Sequence, residues 1–163
     1  MARCLVLLCG CMALGSVLMS CGKIGSGVVE VTLKKTFTVD KRDPAGNLVT
    51  RFSLTFESFG YGNSQYEPHD RLYLKYTFDN LGPAAESDGP GFTVELKVAN
   101  GFVFQGEKIG GHGNWVKGGE SGRGDIIFAG VRGDPVEVSG IICKALAFDP
   151  NPKNGTHFVL KLK

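Results

Sequence analysis

Arg71-Leu72-Tyr73-Leu74-Lys75-Tyr76-Thr77-Phe78-Asp79 alternates without a break. Leu72, Leu74, Tyr76 and Phe78 fall on one side; Arg71, Tyr73, Lys75, Thr77 and Asp79 fall on the other. Successive strand side chains point to opposite faces, so a period of two reads as a half-buried strand. Upstream, Gly60 to His69 reads as a loop with two tyrosines. Tyr61 and Tyr66 are candidate binding residues there, since loop aromatics favour contact surfaces. Covering one end of the domain is their alternative role. Before the loop, Leu48 to Phe59 reads as a strand with Leu48, Phe52, Leu54 and Phe56 inward, and the misplaced parity of Phe59 suggests a twist or a bulge. Asp40 to Asn47 is turn chemistry around Pro44 and Gly46. A first strand starts at Val29, with Val29, Val31, Leu33, Phe37 and Val39 on one face, interrupted by Lys35.

Downstream, Asn80 to Pro90 reads as a loop, and Phe92, Val94, Leu96 and Val98 as the next strand. Asn100-Gly101 is a hairpin signal leading into Phe102-Val103-Phe104. Gly106 to Gly124 looks irregular and holds Trp115. Asp125 to Ala129 is a strand and Gly130 to Asp134 a turn. Pro135 to Phe148 has apolar residues on both parities, which predicts a central strand buried on both faces, bent at Gly140. His157 to Lys163 is a last alternating strand with Phe158, Leu160 and Leu162 inward.

About eight strands at roughly ten-residue spacing, with no amphipathic helix, predict an all-β, antiparallel, immunoglobulin-like β-sandwich. The Cys–Trp–Cys landmark of antibody domains is missing, so this is an architecture and not membership of that family. A small lipocalin-like barrel is the alternative.

The chain has 163 residues, a formal net charge of +2 and 24 glycines. Charges are interspersed, with no basic block for nucleic acid. The glycines show no collagen period, and the apolar runs between them argue against disorder.

Residues 1–20 read as a targeting segment. Arg3 gives a positive start, and Leu5 to Met19 carry no charge. A bilayer core needs about 20 apolar residues, so this run is too short to span it. Leu18-Met19-Ser20-Cys21 resembles the lipobox of bacterial lipoproteins. The resemblance implies diacylglycerol on the Cys21 sulfur, cleavage before Cys21 and acylation of the new amino group. An ordinary secretory signal cut near Ser20 or Gly22 is the alternative. Residues 21–27 then form the lipidated cysteine and a flexible Gly/Ser-rich tether, and residues 28–163 a single domain. Cys4, Cys9 and Cys11 leave with the leader. With Cys21 acylated, Cys143 has no intramolecular disulfide partner and reads as a buried, inert thiol.

His69, His112 and His157 are isolated in sequence, and HExxH, CxxC and GxSxG are all missing. The expectation is no catalytic site, no metal and no cofactor. His112, between two glycines, is the best single candidate for a functional loop, with Trp115 beside it. Arg123-Gly124-Asp125 and Arg132-Gly133-Asp134 resemble the integrin-binding RGD sequence of cell-adhesion proteins, and both fall at predicted turns. The sequence therefore suggests a lipoprotein of the bacterial cell envelope, on its periplasmic or surface face, with a non-enzymatic binding or structural domain. Its expected partners are the membrane and a protein or other macromolecule, not nucleic acid. Adhesion through the RGD turns, or carriage of a small apolar ligand in a barrel, are the alternatives.

Overall fold

The computed structural model describes residues 30–63, 70–82, 89–109, 116–144 and 155–162. Among them are nine strands: β1 (Val31–Arg42), β2 (Leu48–Asn63), β3 (Asp70–Asn80), β4 (Phe92–Val98), β5 (Val103–Gln105), β6 (Glu107–Ile109), β7 (Ser121–Phe128), β8 (Pro135–Cys143) and β9 (Gly155–Lys161). They form two antiparallel sheets, ordered β1-β2-β3-β7-β6 and β5-β4-β8-β9. The sheets face each other as a β-sandwich and do not close into a barrel, which sets the barrel alternative aside.

The alternating stretch of β3 sits centrally in its sheet, between β2 and β7. Leu72, Leu74, Tyr76 and Phe78 are all buried. The parity break in the second strand is a bulge: Phe56 pairs with Tyr76, Ser58 pairs with Lys75, and Glu57 is the extra residue. The strand continues past Phe59 to Asn63, so Tyr61 belongs to β2 and not to a loop. Leu48 was expected inward but is exposed at the strand's beginning. β8 is central, paired to β4 and β9. Only Val138 and Ile142 on one face and Cys143 on the other are fully buried, and the rest of the strand is half-buried, so it is not covered on both faces along its length.

The core is a lattice of rings. Phe56 is its hub, with ring centroids 4.8 Å from Phe158, 5.7 Å from Phe92 and 6.0 Å from Phe37. Those partners lie on β9, β4 and β1, so one side chain ties both sheets together. Edge-to-face pairs of this kind add to the burial of each ring. Two glycines make room for the rings. A Cβ on Gly122 would collide with the Phe78 ring, and one on Gly140 with the Thr93 carbonyl and the Phe158 ring. Part of the glycine excess is thus spent inside strands, beneath aromatic side chains.

β5 and β6 are one run of chain that changes sheets at Gly106, whose N–H donates to the Val94 carbonyl at 2.8 Å. A side chain there would strike Ile126 and Phe128.

The two ends of the sandwich differ. The proximal end, where β1 begins, gathers the end of β2, the start of β3, the hairpin from β4 to β5 and the turn from β7 to β8. At the distal end, Arg42 N–H donates to the Lys144 carbonyl, joining β1 to the end of β8. There Asn80, 1% exposed, forms a polar knot. Its Oδ1 accepts from Thr50 Oγ1 at 2.7 Å and from Gly82 N–H at 3.0 Å, and its Nδ2 donates to the Val116 carbonyl at 2.8 Å. Burying these groups is tolerable because each is satisfied.

Candidate functional site

Cys21, Tyr66, His112 and Trp115 lie outside the described residues. Tyr61 lies near the proximal end, paired with Leu72, and its half-buried ring packs against the core. It behaves as a covering residue more than a presented one. Val116, which follows the His112–Trp115 segment, is held at the distal end by Asn80. The described residues next to the two aromatic candidates therefore stand at opposite ends, and no joint binding edge is built from them.

The two RGD sequences have different fates. Arg123-Gly124-Asp125 lies within β7, which begins at Ser121 and not at Asp125. Gly124 pairs with Tyr76, and Asp125 is 2% exposed opposite Lys75. A carboxylate that buried is not offered to a partner, so the predicted turn is corrected to mid-strand. The irregular reading of Gly106 to Gly124 failed here because Gly122, beneath the Phe78 ring, and Gly124, paired with Tyr76, broke the apolar alternation. Arg132-Gly133-Asp134 does lie in the turn between β7 and β8. All three residues are exposed, and Gly133 adopts a φ of 106°. The Asp134 carbonyl accepts from Ala99 N–H at 2.9 Å, holding this turn against the hairpin between β4 and β5.

That hairpin is closed by Val98 N–H donating to the Phe102 carbonyl and Gly101 N–H donating to the Val98 carbonyl. Gly101, at φ 90°, supplies the left-handed backbone the turn requires. Immediately after it, Phe102 is 67% exposed and Val103 50% exposed. Lys97 pairs with Val103 across the hairpin and is exposed. The proximal end thus presents two apolar side chains at the edge of the sheet, with Lys97 and Arg132 on the neighbouring strand and turn and Glu137 and Asp134 offsetting their charges.

Toward the distal half, the interior holds two lysines. Lys41 is the last residue but one of β1 and was expected in the turn after it. It is 3% exposed instead, its Nζ donating to the Gly89 carbonyl at 3.3 Å and standing 5.9 Å from the Phe52 centroid. Lys108 on β6 is half-buried, its Nζ 3.5 Å from the Phe92 centroid. Cys143 is buried, as the sequence suggested. Burial pushes the Lys108 amine down to about 8; Cys143 opposes the shift and Lys41 adds to it. The aliphatic stems fill apolar space while the heads rest on ring faces and a carbonyl. Only the turn position of Lys41 and the irregular context of Lys108 were visible in sequence, and neither signals an inward charge.

The sign of the resulting pH dependence follows. Below pH of about 8 the folded protein bears the whole cost of the buried Lys108 ammonium, partly offset by Phe92. Between that value and the unperturbed 10.5, the unfolded chain holds the additional proton, so this residue's contribution to stability improves as pH rises. Lys108→Met is expected to stabilise the protein near neutrality by about 1 kcal/mol. The advantage should shrink toward about pH 10. Urea midpoints of both proteins at the two pH values check this; a variant less stable at neutral pH contradicts it.

Surface ion pairs fill the polar faces. Arg51 Nε donates to Asp40 at 2.6 Å and holds that carboxyl below its ordinary range, and Lys161 does the same for Glu137. Such exposed pairs add little stability. Among the described residues, no group of three potential metal ligands comes together. No family model matches the chain, and no curated protein or solved structure matches it significantly.

Proposed function

We propose that this chain is a lipid-anchored protein of the bacterial cell envelope, whose β-sandwich is a non-enzymatic binding or envelope-structural domain. One observation carries the reading: Leu18-Met19-Ser20-Cys21 ends an uncharged run that starts just after Arg3. The Gly22–Gly27 stretch suits a tether, and the first strand follows soon after, at Val31. A thioether-linked diacylglycerol with an added acyl chain gives stable anchoring, because two or more chains contribute. The domain's part is to present loops on a rigid support, a role that needs no reacting groups. Wild-type protein should incorporate labelled palmitate in a bacterial host and fractionate with membranes. Cys21→Ala should lose essentially all of the label. Equal labelling of the two proteins contradicts the anchor.

A further inference from the structure

Where the tether enters the sandwich has a consequence for the exposed hairpin. β1 begins beside Phe59, at the end of the molecule that also carries the hairpin with Phe102 and Val103. Leu81, itself 58% exposed, marks the opposite end, one position past the end of β3. We propose that the proximal hairpin docks on the same bilayer that holds Cys21, with Phe102 and Val103 entering the boundary between headgroups and acyl chains. The inference rests on the anchored reading above and names the surface that this end of the domain meets.

Three observations carry it. First, the tether is short. Cys21 and Glu30 are nine positions apart, and a flexible chain of that length has a typical end-to-end distance of about 17 Å. The eleven residues of β3 span about 36 Å, so the tether keeps the proximal end near the bilayer while leaving the distal end room to stand well away from it. Second, Phe102 and Val103 are consecutive large apolar side chains, both exposed where the hairpin turn leads into β5. Apolar side chains such as Phe on a membrane-facing surface bury at the boundary between headgroups and acyl chains. Third, exposed Lys97 pairs with Val103 on one side and Glu137 on the other, exposed Arg132 lies in the adjoining turn, and long basic side chains can extend along a bilayer surface toward anionic headgroups. Two apolar side chains are too few to recruit a freely diffusing domain. On a domain already tethered, they need only select one orientation, because the local concentration of bilayer is high.

The test uses the full lipidated protein in vesicles of phosphatidylethanolamine and phosphatidylglycerol, with and without bromine on the acyl chains. Trp115→Phe provides a background without indole, into which Phe102→Trp or Leu81→Trp places a single reporter. The expected result is loss of most of the emission from the reporter at position 102 in brominated vesicles. The reporter at position 81 should be unaffected. Equal quenching at both positions, or none at 102, overturns the docking while leaving the anchor intact, provided the protein's mass shows the lipid on Cys21. Protein without that added mass overturns the anchored reading itself, and the docking with it. A circular dichroism spectrum like the wild type's confirms that each variant is folded.

Discussion

Phe56→Ala should be the most damaging single truncation in the domain, costing about 3–5 kcal/mol. The side chain is fully buried and meets rings on three other strands, two of them in the opposite sheet. Its loss leaves a cavity between the sheets that rigid strand neighbours cannot close. Domains of this size have only about 5–15 kcal/mol in total, so the variant should unfold at far lower urea or fail to accumulate. Phe102→Ala is the matched control, since it removes the same ring from an exposed site and should change stability by less than about 0.5 kcal/mol. Equal urea midpoints for Phe56→Ala and wild type would contradict the placement of Phe56 at the hub.

Asn80→Ala is expected to cost about 3 kcal/mol, an unusually large loss for a polar residue. The substitution removes an acceptor from the Thr50 hydroxyl and the Gly82 N–H, and a donor from the Val116 carbonyl. Thr50 and Val116 are themselves buried, so water cannot simply replace the amide. Asn80→Asp keeps an acceptor for Thr50 and Gly82 but sets a buried carboxylate against the Val116 carbonyl, and should be no more stable than Asn80→Ala. Urea denaturation of the three proteins orders them. A loss for Asn80→Ala no greater than that of an exposed substitution would show that the distal knot is not holding β2, β3 and the start of β7 together.

How far the sequence revealed this molecule depends on what each strand faces. β3, β4 and β9 were legible because each alternates apolar and polar side chains, although Tyr73, on the expected water face of β3, is buried as well. β7 was cut short in the reading because Gly122, where the Phe78 ring needs room, and Gly124, opposite Tyr76, stand where an alternating strand would carry apolar side chains. An alternation whose apolar partner comes from the neighbouring strand cannot be seen in one segment. β6 was missed for a related reason: three residues after a sheet switch carry no period. The inward lysines were hidden by their type, since a Lys beside a turn ordinarily faces water. Arg123-Gly124-Asp125 was misplaced by the same truncation of β7, whereas Arg132-Gly133-Asp134 was placed correctly because its turn is bounded by a true strand end and by Pro135. The exposed hairpin was legible from Asn100-Gly101. That Phe102 points outward was not, because an apolar residue next to a turn was assigned to the strand that follows.

The anchor at Cys21 is the claim on which the function and the orientation of the domain both depend. Mass spectrometry of the N-terminal peptide of the mature protein, purified from bacterial membranes, tests it most directly. The account predicts a peptide that begins at Cys21 and carries the mass of a diacylglyceryl group, with or without an amide-linked acyl chain. A peptide beginning at an unmodified residue, whether Cys21 or Gly22, would contradict it.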